Sequence, residues 1–271
     1  MAALSEHDKD RDTDRWDALA GSYGSSPVVA RLARGLVDLV GISPGDSVID
    51  LGTGTGLALV PAAQASGSCA VLGVDRSLGM LRVAGQRVSE ASLTTVALVR
   101  ADASRLPVQT ASFDVALAAS VWQFLGYSQE ALSEWRRVLA PDGRLGFSVP
   151  GPGSGASIPA DLRDKYFPRL AASVQEDLRS RASRPLPDLA DAAVAAGFSE
   201  ATVVSRSWDD ILRGPDDWWA IQWTHALRFF LQGLDPDALE SLEAEAGERL
   251  VRSDTGGVTV TTRVLYCVAR C

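Results

Sequence analysis

The chain is poor in cysteine, lysine and histidine. Its three cysteines, Cys69, Cys267 and Cys271, are an odd number, and their spacing fits neither a disulfide framework nor a zinc site. We therefore expect free thiols and no metal centre. Lysine and arginine together number 26 against 34 acidic residues, a formal net charge of −8. A chain of this charge does not attract nucleic acid or an anionic membrane through its overall field, so neither is an expected partner.

Long apolar runs are also missing. No stretch approaches the roughly 18 apolar residues of a membrane span. The first residues, MAALSEHDKDRDTDRWDAL, are charged and lack the apolar segment of a signal peptide, so we expect a cytoplasmic protein. Residues 1–13 are predicted to be a disordered tail, and residues 14–271, rich enough in apolar side chains to bury a full core, to be a single domain. The strong preference for arginine over lysine is associated with GC-rich bacterial genomes.

The apolar pattern predicts the fold class. Between residues 43 and 150, short apolar runs alternate with amphipathic segments, which predicts an α/β fold whose parallel sheet is covered by helices on both faces. After Pro150 the alternation breaks, and most of the chain up to residue 256 has a helical pattern. The predicted segments are strands at 47–52, 70–75, 96–102, 113–119, 144–150, 201–208 and 257–270, and helices at 77–88, 128–140, 159–183, 186–197 and 215–252.

The strongest chemical signal is the glycine-rich sequence VIDLGTGTG at 48–56. A strand that runs into closely spaced glycines allows the backbone to approach a ligand, and the next helix points its N-terminus at the same place. The dinucleotide pattern G-x-G-x-x-G is excluded by Leu57 and Leu59, and no Gly-Lys-Ser/Thr follows for a phosphate loop. The pattern present is D-x-G-x-G-x-G, which begins at Asp50.

This pattern resembles the first motif of the class I S-adenosylmethionine (SAM)-dependent methyltransferases, a group that includes quinone-biosynthesis and natural-product enzymes. GVDRS at 73–77, RADASRLP at 100–107 and FDVALAASVWQF at 113–124 are similar to the family's next motifs, in the same order. The resemblance covers residues 14–150 well, and 198–208 plus 257–270 as the last two strands. It implies a Rossmann-like, doubly wound seven-stranded sheet, mostly parallel with an antiparallel last strand, and a helical lid formed by inserts and the N-terminus.

The resemblance also implies a cofactor site. Asp75 would accept hydrogen bonds from both ribose hydroxyls, Asp102 would receive the adenine amino group, and the Ala103 amide would face the ring. The backbone near Ser120 would face the methionine end, and WDALAGSYG at 16–24 would fold over the cofactor and bring Tyr23 to it. The expected cofactor contacts are Tyr23, Asp50, Gly52, Thr53, Gly54, Gly56, Asp75, Arg76, Met80, Asp102, Ala103 and Ser120.

By the same resemblance, residues 14–42 form N-terminal cap helices, 43–150 the SAM-binding core, and 151–185 and 209–256 helical inserts over the substrate. Two departures stand out. Pro61 interrupts the helix after Gly56, which is expected to start late or to kink. Some small-molecule members carry a histidine just after the fourth strand, where this chain has Trp122 and Gln123.

The stretch GPDDWWAIQWTHALRFF at 214–230 has two interpretations. Trp219, Trp223, Leu227 and Phe230 recur at helical spacing, as on a buried helix face, yet pockets for small organic ligands are also aromatic. Phe229 and Phe230 are expected to anchor the segment in the core. His225 is either a structural histidine or a general base, and Tyr23 is the second catalytic candidate. The expected substrate contacts are Trp122, Phe124, Tyr127, Trp219, Trp223 and His225.

The sequence therefore predicts a SAM-dependent methyltransferase that acts on an O, N or C atom of a small aromatic or polycyclic bacterial metabolite and releases S-adenosylhomocysteine (SAH). The chain lacks the Asn/Asp-Pro-Pro-Tyr signature associated with methylation of nucleobase or glutamine nitrogens. Two alternatives stay open: a cyclase of the same fold that keeps SAM without methyl transfer, and a non-catalytic SAM-binding module. A monomer and a homodimer are both compatible with the sequence.

Overall fold

A computed structural model describes residues 6–23, 25, 27–152, 158–182, 185–251, 254 and 256–271. These residues form two compact units. The first comprises the chain up to Val149 together with Leu186–Val204 and Leu265–Cys271, and the second comprises Pro150–Pro185 and Ser205–Val264. The sequence had indicated one domain over 14–271. The predicted inserts, 151–185 and 209–256, both fall within the second unit because their apolar side chains pack into a core of their own.

The seven strands form one sheet in the order β3-β2-β1-β4-β5-β7-β6. Neighbours from β3 to β5 pair in parallel, and β7 is antiparallel, as the resemblance implied. The fifth strand, predicted at 144–150, already begins at Leu139 and pairs with β4 through a register shift. The strands are β1 (Val48–Leu51), β2 (Val71–Asp75), β3 (Val96–Arg100), β4 (Phe113–Ala119), β5 (Leu139–Pro150), β6 (Glu200–Leu212) and β7 (Val258–Arg270).

Helix boundaries follow their caps. Ser77 and Ser128 accept hydrogen bonds from the backbone N–H three residues on, and each precedes the first residue of a helix. None of the helices among the described residues is both long and apolar enough to cross a membrane. The helices are α1 (Glu6–Leu19), α2 (Pro27–Val40), α3 (Leu59–Ser66), α4 (Leu78–Glu90), α5 (Gln129–Val138), α6 (Ala160–Tyr166), α7 (Ala172–Ala182), α8 (Leu189–Ala195), α9 (Pro215–Gln222), α10 (Arg228–Leu231) and α11 (Pro236–Glu248).

Three helical predictions need correction. The helix predicted over 159–183 is divided into α6 and α7 by the 3₁₀ turn Phe167–Arg169. The predicted tail 1–13 is helical from Glu6 onwards, and residues 1–5 lie outside the described part. Helix α1 is anchored at its other end by the buried Leu19, and helix formation is cooperative, so the helix extends into a segment without an apolar pattern. The helix predicted over 215–252 is three helices, because the chain turns at 223–227 and again at 232–235.

The helix after the glycine bend, the loop that contains Gly52, Gly54 and Gly56, starts late, as Pro61 indicated. Helix α3 begins at Leu59, so Pro61 lies in its first turn, where the missing N–H costs no helical hydrogen bond. The chain from Gly52 to Ala58 is thereby left as an irregular loop at the carboxyl end of β1. In an open parallel sheet, ligands bind at that edge of the strands.

Candidate functional site

The first unit contains a pocket of about 1160 Å³, its open mouth included, at the carboxyl ends of β1, β2 and β4. The wall includes most of the predicted cofactor residues and also residues from α1 and α2. The predicted residues in the wall are Tyr23, Asp50, Gly52, Thr53, Gly54, Asp75, Arg76, Met80, Asp102, Ala103 and Ser120. The sequence had thus identified eleven of the residues that the fold brings to one cavity.

The glycines of the bend have two different structural roles. Gly52 and Gly54 lie in the pocket wall with φ of 62° and 54°, a region that side-chain-bearing residues rarely adopt. Gly56 was predicted to contact the cofactor, but it is not part of the wall. A Cβ on Gly56 would lie 3.3 Å from Ala84 Cβ on α4, so this glycine serves close packing between the loop and a helix.

Asp75, the last residue of β2, is held by backbone amides. Its two carboxylate oxygens accept hydrogen bonds from the N–H groups of Gly54 (2.8 Å) and Ser77 (2.9 Å). Burial raises the pKa of the carboxyl, and the amides oppose that rise. Each carboxylate oxygen has a second lone pair, so the oriented group can still accept hydrogen bonds from a vicinal diol.

Asp50, inside β1, is a buried carboxyl with spare capacity. One oxygen accepts a hydrogen bond from Thr53 Oγ1 at 2.6 Å, while Oδ1 is buried without a partner in hydrogen-bond geometry. Burial, and to a lesser degree the charge of Asp75, raises the pKa of Asp50 to about 7. The Leu59 N–H is near enough to oppose this rise in the pKa of the carboxyl. A buried carboxylate in a ligand pocket with an unused oxygen suits a ligand that is cationic. This observation fits SAM, which carries an ammonium and a sulfonium.

Binding of SAM is expected to weaken about tenfold as the pH falls from 8 to 6. With a pKa of about 7, Asp50 is mostly charged at pH 8 and mostly protonated at pH 6, and a cationic ligand favours the charged form. Binding should therefore release a proton, which calorimetry in buffers of different ionisation enthalpy detects. Asp50→Asn is the control. In this variant residue 50 no longer titrates, so any remaining pH dependence comes from other groups, including those of SAM. Parallel pH curves for both proteins would contradict the assignment.

Asp102 follows β3, and both of its carboxylate oxygens accept hydrogen bonds from the protein. Arg76 Nη1 donates to Oδ2 at 3.1 Å, and the Ser104 N–H and hydroxyl donate to Oδ1 at 2.9 and 2.7 Å. The carbonyl of the neighbouring Ala103 accepts a hydrogen bond from Trp135 Nε1 at 2.8 Å, which fixes the backbone at this point. Asp102 and Ala103 are therefore held in a fixed orientation after the third strand, where the resemblance places the adenine.

Ser120, directly after β4, has a strained conformation. Its φ of 55° is unusual for a residue with a side chain, and its Oγ is buried without a hydrogen-bond partner. Its N–H donates to the carbonyl and hydroxyl oxygens of Ser148, which ties the end of β4 to β5. A strained residue with an unused polar atom in a pocket wall is a typical ligand contact.

Helix α1 supplies part of the wall that the sequence analysis missed. Thr13 and Trp16 line the pocket, and Asp17 fastens the helix to the start of α4. Asp17 Oδ1 accepts hydrogen bonds from the Ser77 hydroxyl at 2.5 Å and the Gly79 N–H at 2.8 Å. Trp16 belongs to the segment already expected to fold over the cofactor, so its place in that segment was the available signal.

Gly79→Ala is expected to weaken SAM binding about tenfold. A Cβ on Gly79 would lie 2.9 Å from the Cα and carbonyl oxygen of Asp17, so α1 must move away and take Thr13 and Trp16 with it. Calorimetry measures the loss. The control is Gly85→Ala on the same helix, whose Cβ would meet its nearest neighbour, Leu98, at 3.6 Å. Equal SAM affinities in the two variants would show that the position of α1 does not affect SAM binding.

Tyr23 lines the pocket as predicted, but its acidity disfavours the catalytic role. Burial, followed by the charge of Asp75, raises the pKa of Tyr23 to about 12. The phenol therefore stays protonated near neutral pH and acts as a hydrogen-bond donor, not as a base.

Among the aromatic residues after β4, the predictions divide. Phe124 lines the pocket. Trp122, predicted as a substrate contact, has no exposed surface and donates from Nε1 to the Ser128 carbonyl at 3.0 Å, so it is a core residue. Tyr127 packs edge-on against Trp122, with ring centroids 5.2 Å apart, and lies outside the pocket wall. The short 3₁₀ turn Trp122–Leu125 directs neighbouring residues to opposite sides, which periodicity could not show.

The remaining substrate candidates belong to the second unit. Trp218 and Phe230 are buried in its core, which confirms the anchoring role of Phe230, and Trp219 and Trp223 are half-buried against that core. Phe229, expected to anchor the segment as well, is half-buried and is not part of that core. Burial lowers the pKa of His225 to about 4. Its Nδ1 accepts a hydrogen bond from the Leu227 N–H at 3.3 Å, which places the proton of the neutral ring on Nε2. A contribution of Trp219, Trp223 and His225 to substrate binding stays a prediction.

Comparison with known proteins agrees with the motifs. A family model described as a methyltransferase domain matches residues 49–147. Nocamycin O-methyltransferase from Saccharothrix syringae is 30% identical over 94% of this chain and 96% of its own length. Demethylmenaquinone methyltransferase from Mycobacterium sp. (strain JLS) is 31% identical over 68% of this chain and 84% of its own length.

Solved structures show the same fold. Phosphoethanolamine N-methyltransferase 2 from Haemonchus contortus, in complex with SAM, matches 88% of this chain and 51% of its own with a TM-score of 0.53 at 20% identity. At this identity the likeness concerns the fold. The residues of the pocket described above, with oriented carboxylates and an unused carboxylate oxygen, fit the same cofactor.

Proposed function

The chain belongs to the class I SAM-dependent methyltransferases, and from that premise we propose that it methylates an oxygen atom of a small bacterial natural product. Transfer of a methyl group from SAM to a small molecule follows from the family itself. The choice of oxygen, and of an aromatic or polycyclic acceptor, is the proposal.

The observation that carries the proposal is the similarity to nocamycin O-methyltransferase along nearly the whole chain. A match over 94% of the chain must include most of Pro150–Pro185 and Ser205–Val264, the second unit. The family model, by contrast, ends at residue 147. The segments outside the cofactor core are where members of one fold differ in substrate, so likeness there favours a related type of acceptor.

The cofactor supplies a methyl group that its sulfonium already activates. The protein has to bind it, orient it and exclude water. In the proposed arrangement, Asp75 accepts the ribose hydroxyls and Asp102 the adenine amino group, while Asp50 and Ser120 offer their unused oxygens to the methionine end. The carboxylates of Asp50, Asp75 and Asp102 are oriented before the ligand binds by the hydrogen bonds described above, which limits the entropy lost on binding.

The wall next to α2 favours an apolar acceptor. Val29, Leu32 and Ala33 on α2 share the pocket with Phe124 and Leu125 after β4. Aliphatic and aromatic side chains of this kind take up the apolar body of a small organic molecule. We therefore propose Phe124 and the three α2 residues as substrate contacts. Tyr127, Trp219 and Trp223 also stay proposed substrate contacts, to be tested by mutation.

A hydroxyl acceptor usually has to lose its proton, and we propose His225 as the candidate base. Its lowered pKa keeps the ring neutral at physiological pH, as a base requires, although it also makes the ring a weak one. His225→Asn retains an acceptor for the Leu227 N–H and removes the base. A slower rate at unchanged SAM affinity supports the role, and a rate within about twofold of wild type rejects it.

The experiment that tests the proposed function is incubation with SAM carrying a ¹³C-labelled methyl group and a panel of phenols, carboxylic acids, amines and quinones. The chemical shift of the transferred carbon distinguishes oxygen, nitrogen and carbon attachment. Label on oxygen, lost when the acceptor hydroxyl is replaced by hydrogen, supports the proposal. Label on carbon or nitrogen overturns the choice of oxygen. Conversion without label would indicate a cyclase that keeps SAM, and binding without conversion of any compound a non-catalytic module.

A further inference from the structure

Three aromatic side chains meet in the wall of the first unit's pocket. Trp16 of α1 lies edge-on to Tyr23 and to Phe124, with ring centroids 5.8 and 5.0 Å apart. All three residues line the pocket. Because each ring is held against another, the group, here called the Trp16 cluster, is a preformed aromatic surface.

The cluster lies beside the carboxylates of the site. A Cβ on Gly54 would be 3.9 Å from Tyr23 Cε1, and the N–H of this same Gly54 donates to Asp75. The charge of Asp75 also contributes to the raised pKa of Tyr23. The aromatic surface and the acidic groups therefore share one part of the pocket.

The charges of the wall are mostly negative. Among the described residues that line it, the carboxylates are Asp50, Asp75 and Asp102, and the one cationic side chain, Arg76, is paired with Asp102. Asp50 and Asp75 have no cationic side chain in the wall to balance them. Aromatic faces attract cations through their quadrupole, most strongly where water is excluded.

We propose that the Trp16 cluster selects the positively charged form of the cofactor over the neutral product. SAM and SAH share the nucleoside and the amino acid and differ at the sulfur, which is a sulfonium in SAM and a thioether in SAH. The ammonium is common to both ligands, so a cation–π contact that distinguishes them must be made with the sulfonium, which only SAM carries. The cluster would thus hold SAM and release SAH, and it acts on the cofactor whatever the methyl acceptor is.

The test is calorimetry with SAM and with SAH on the intact protein, without any acceptor. Trp16→Leu is expected to weaken SAM binding about tenfold and SAH binding by less than about twofold. Trp16→Phe, which keeps a ring, should retain most of the preference. Leu32→Ala is the matched control, since it removes apolar wall area without π-electrons and should affect both ligands equally.

A second variant covers the case in which Trp16→Leu fails to fold. Phe124→Leu removes another ring of the cluster without touching α1, and it is expected to lower the SAM-to-SAH preference in the same direction. Melting curves without ligand establish that each variant is folded. If the folded ring variants weaken SAM and SAH by the same factor, the rings provide shape only and the proposal is overturned.

Discussion

Asp75→Ala is expected to weaken SAM binding by about a hundredfold. The variant loses the two hydrogen bonds that the carboxylate would accept from the ribose, each worth about 1.5–3 kcal/mol for a charged acceptor, and water in the pocket restores part of that loss. The N–H groups of Gly54 and Ser77 lose their acceptor at the same time, so the glycine bend is less well ordered. Calorimetry with SAM measures the effect directly.

Two variants make this result specific. Asp75→Asn keeps the shape of the side chain and one acceptor oxygen, so its loss should be smaller than that of alanine. Asp142→Ala removes an exposed aspartate outside the pocket wall and should leave SAM affinity unchanged. If Asp75→Ala binds SAM as wild type does while its melting temperature is preserved, the assignment of the second motif is wrong.

Gly52→Ala is expected to reduce SAM affinity by a hundredfold or more. The new side chain meets two obstacles: φ is 62°, and the Cβ would lie 2.7 and 2.9 Å from the two γ-carbons of Val121. The bend must open at its first glycine, and both Gly52 and Val121 are part of the pocket wall. Strain of this kind costs about 1–3 kcal/mol for the backbone alone, and the steric contact adds to it.

The two obstacles can be separated. In the double variant Gly52→Ala/Val121→Ala, the contact is relieved and the backbone strain stays, so part of the affinity should return. Gly41→Ala places the same residue at a φ of 68° with no atom within 4 Å, and it lies outside the pocket wall. Gly41→Ala should lower the melting temperature without weakening SAM binding. A Gly52→Ala protein with wild-type affinity would mean that this glycine is not needed at the ligand.

The cofactor residues were predictable because they lie at ends of consecutive strands. Once a parallel sheet is recognised, Asp50, Asp75 and Asp102 must come to one edge, since parallel strands all end there. Gly56 shows the limit of the same reasoning. It belongs to the same glycine pattern as Gly52 and Gly54, yet it packs against Ala84, a residue distant in sequence that no local pattern identifies.

The aromatic predictions were less successful for a related reason. Trp122 and Phe124 stand two residues apart in a short 3₁₀ turn, and one is core while the other lines the pocket. In the second unit, the helical spacing of Trp219, Trp223, Leu227 and Phe230 assumed one continuous helix. The chain instead turns after Gln222, where the Thr224 hydroxyl donates to the carbonyl of Ile221, so the four residues are not one face of a single helix. All four nevertheless pack into the same core, as a buried face would.

The sequence by itself determined the fold class and the order of the motifs, because strand and helix periodicity and glycine spacing are local properties of the chain. The resemblance of those motifs to a known family implied the cofactor. Only the tertiary structure decided which side chains share the pocket. It brought Trp16 from the N-terminal helix to Phe124, more than a hundred residues later in the chain, and it left Asp50 Oδ1 buried without a partner in hydrogen-bond geometry. Contacts of this kind depend on how distant elements pack, and packing is a property of the whole fold.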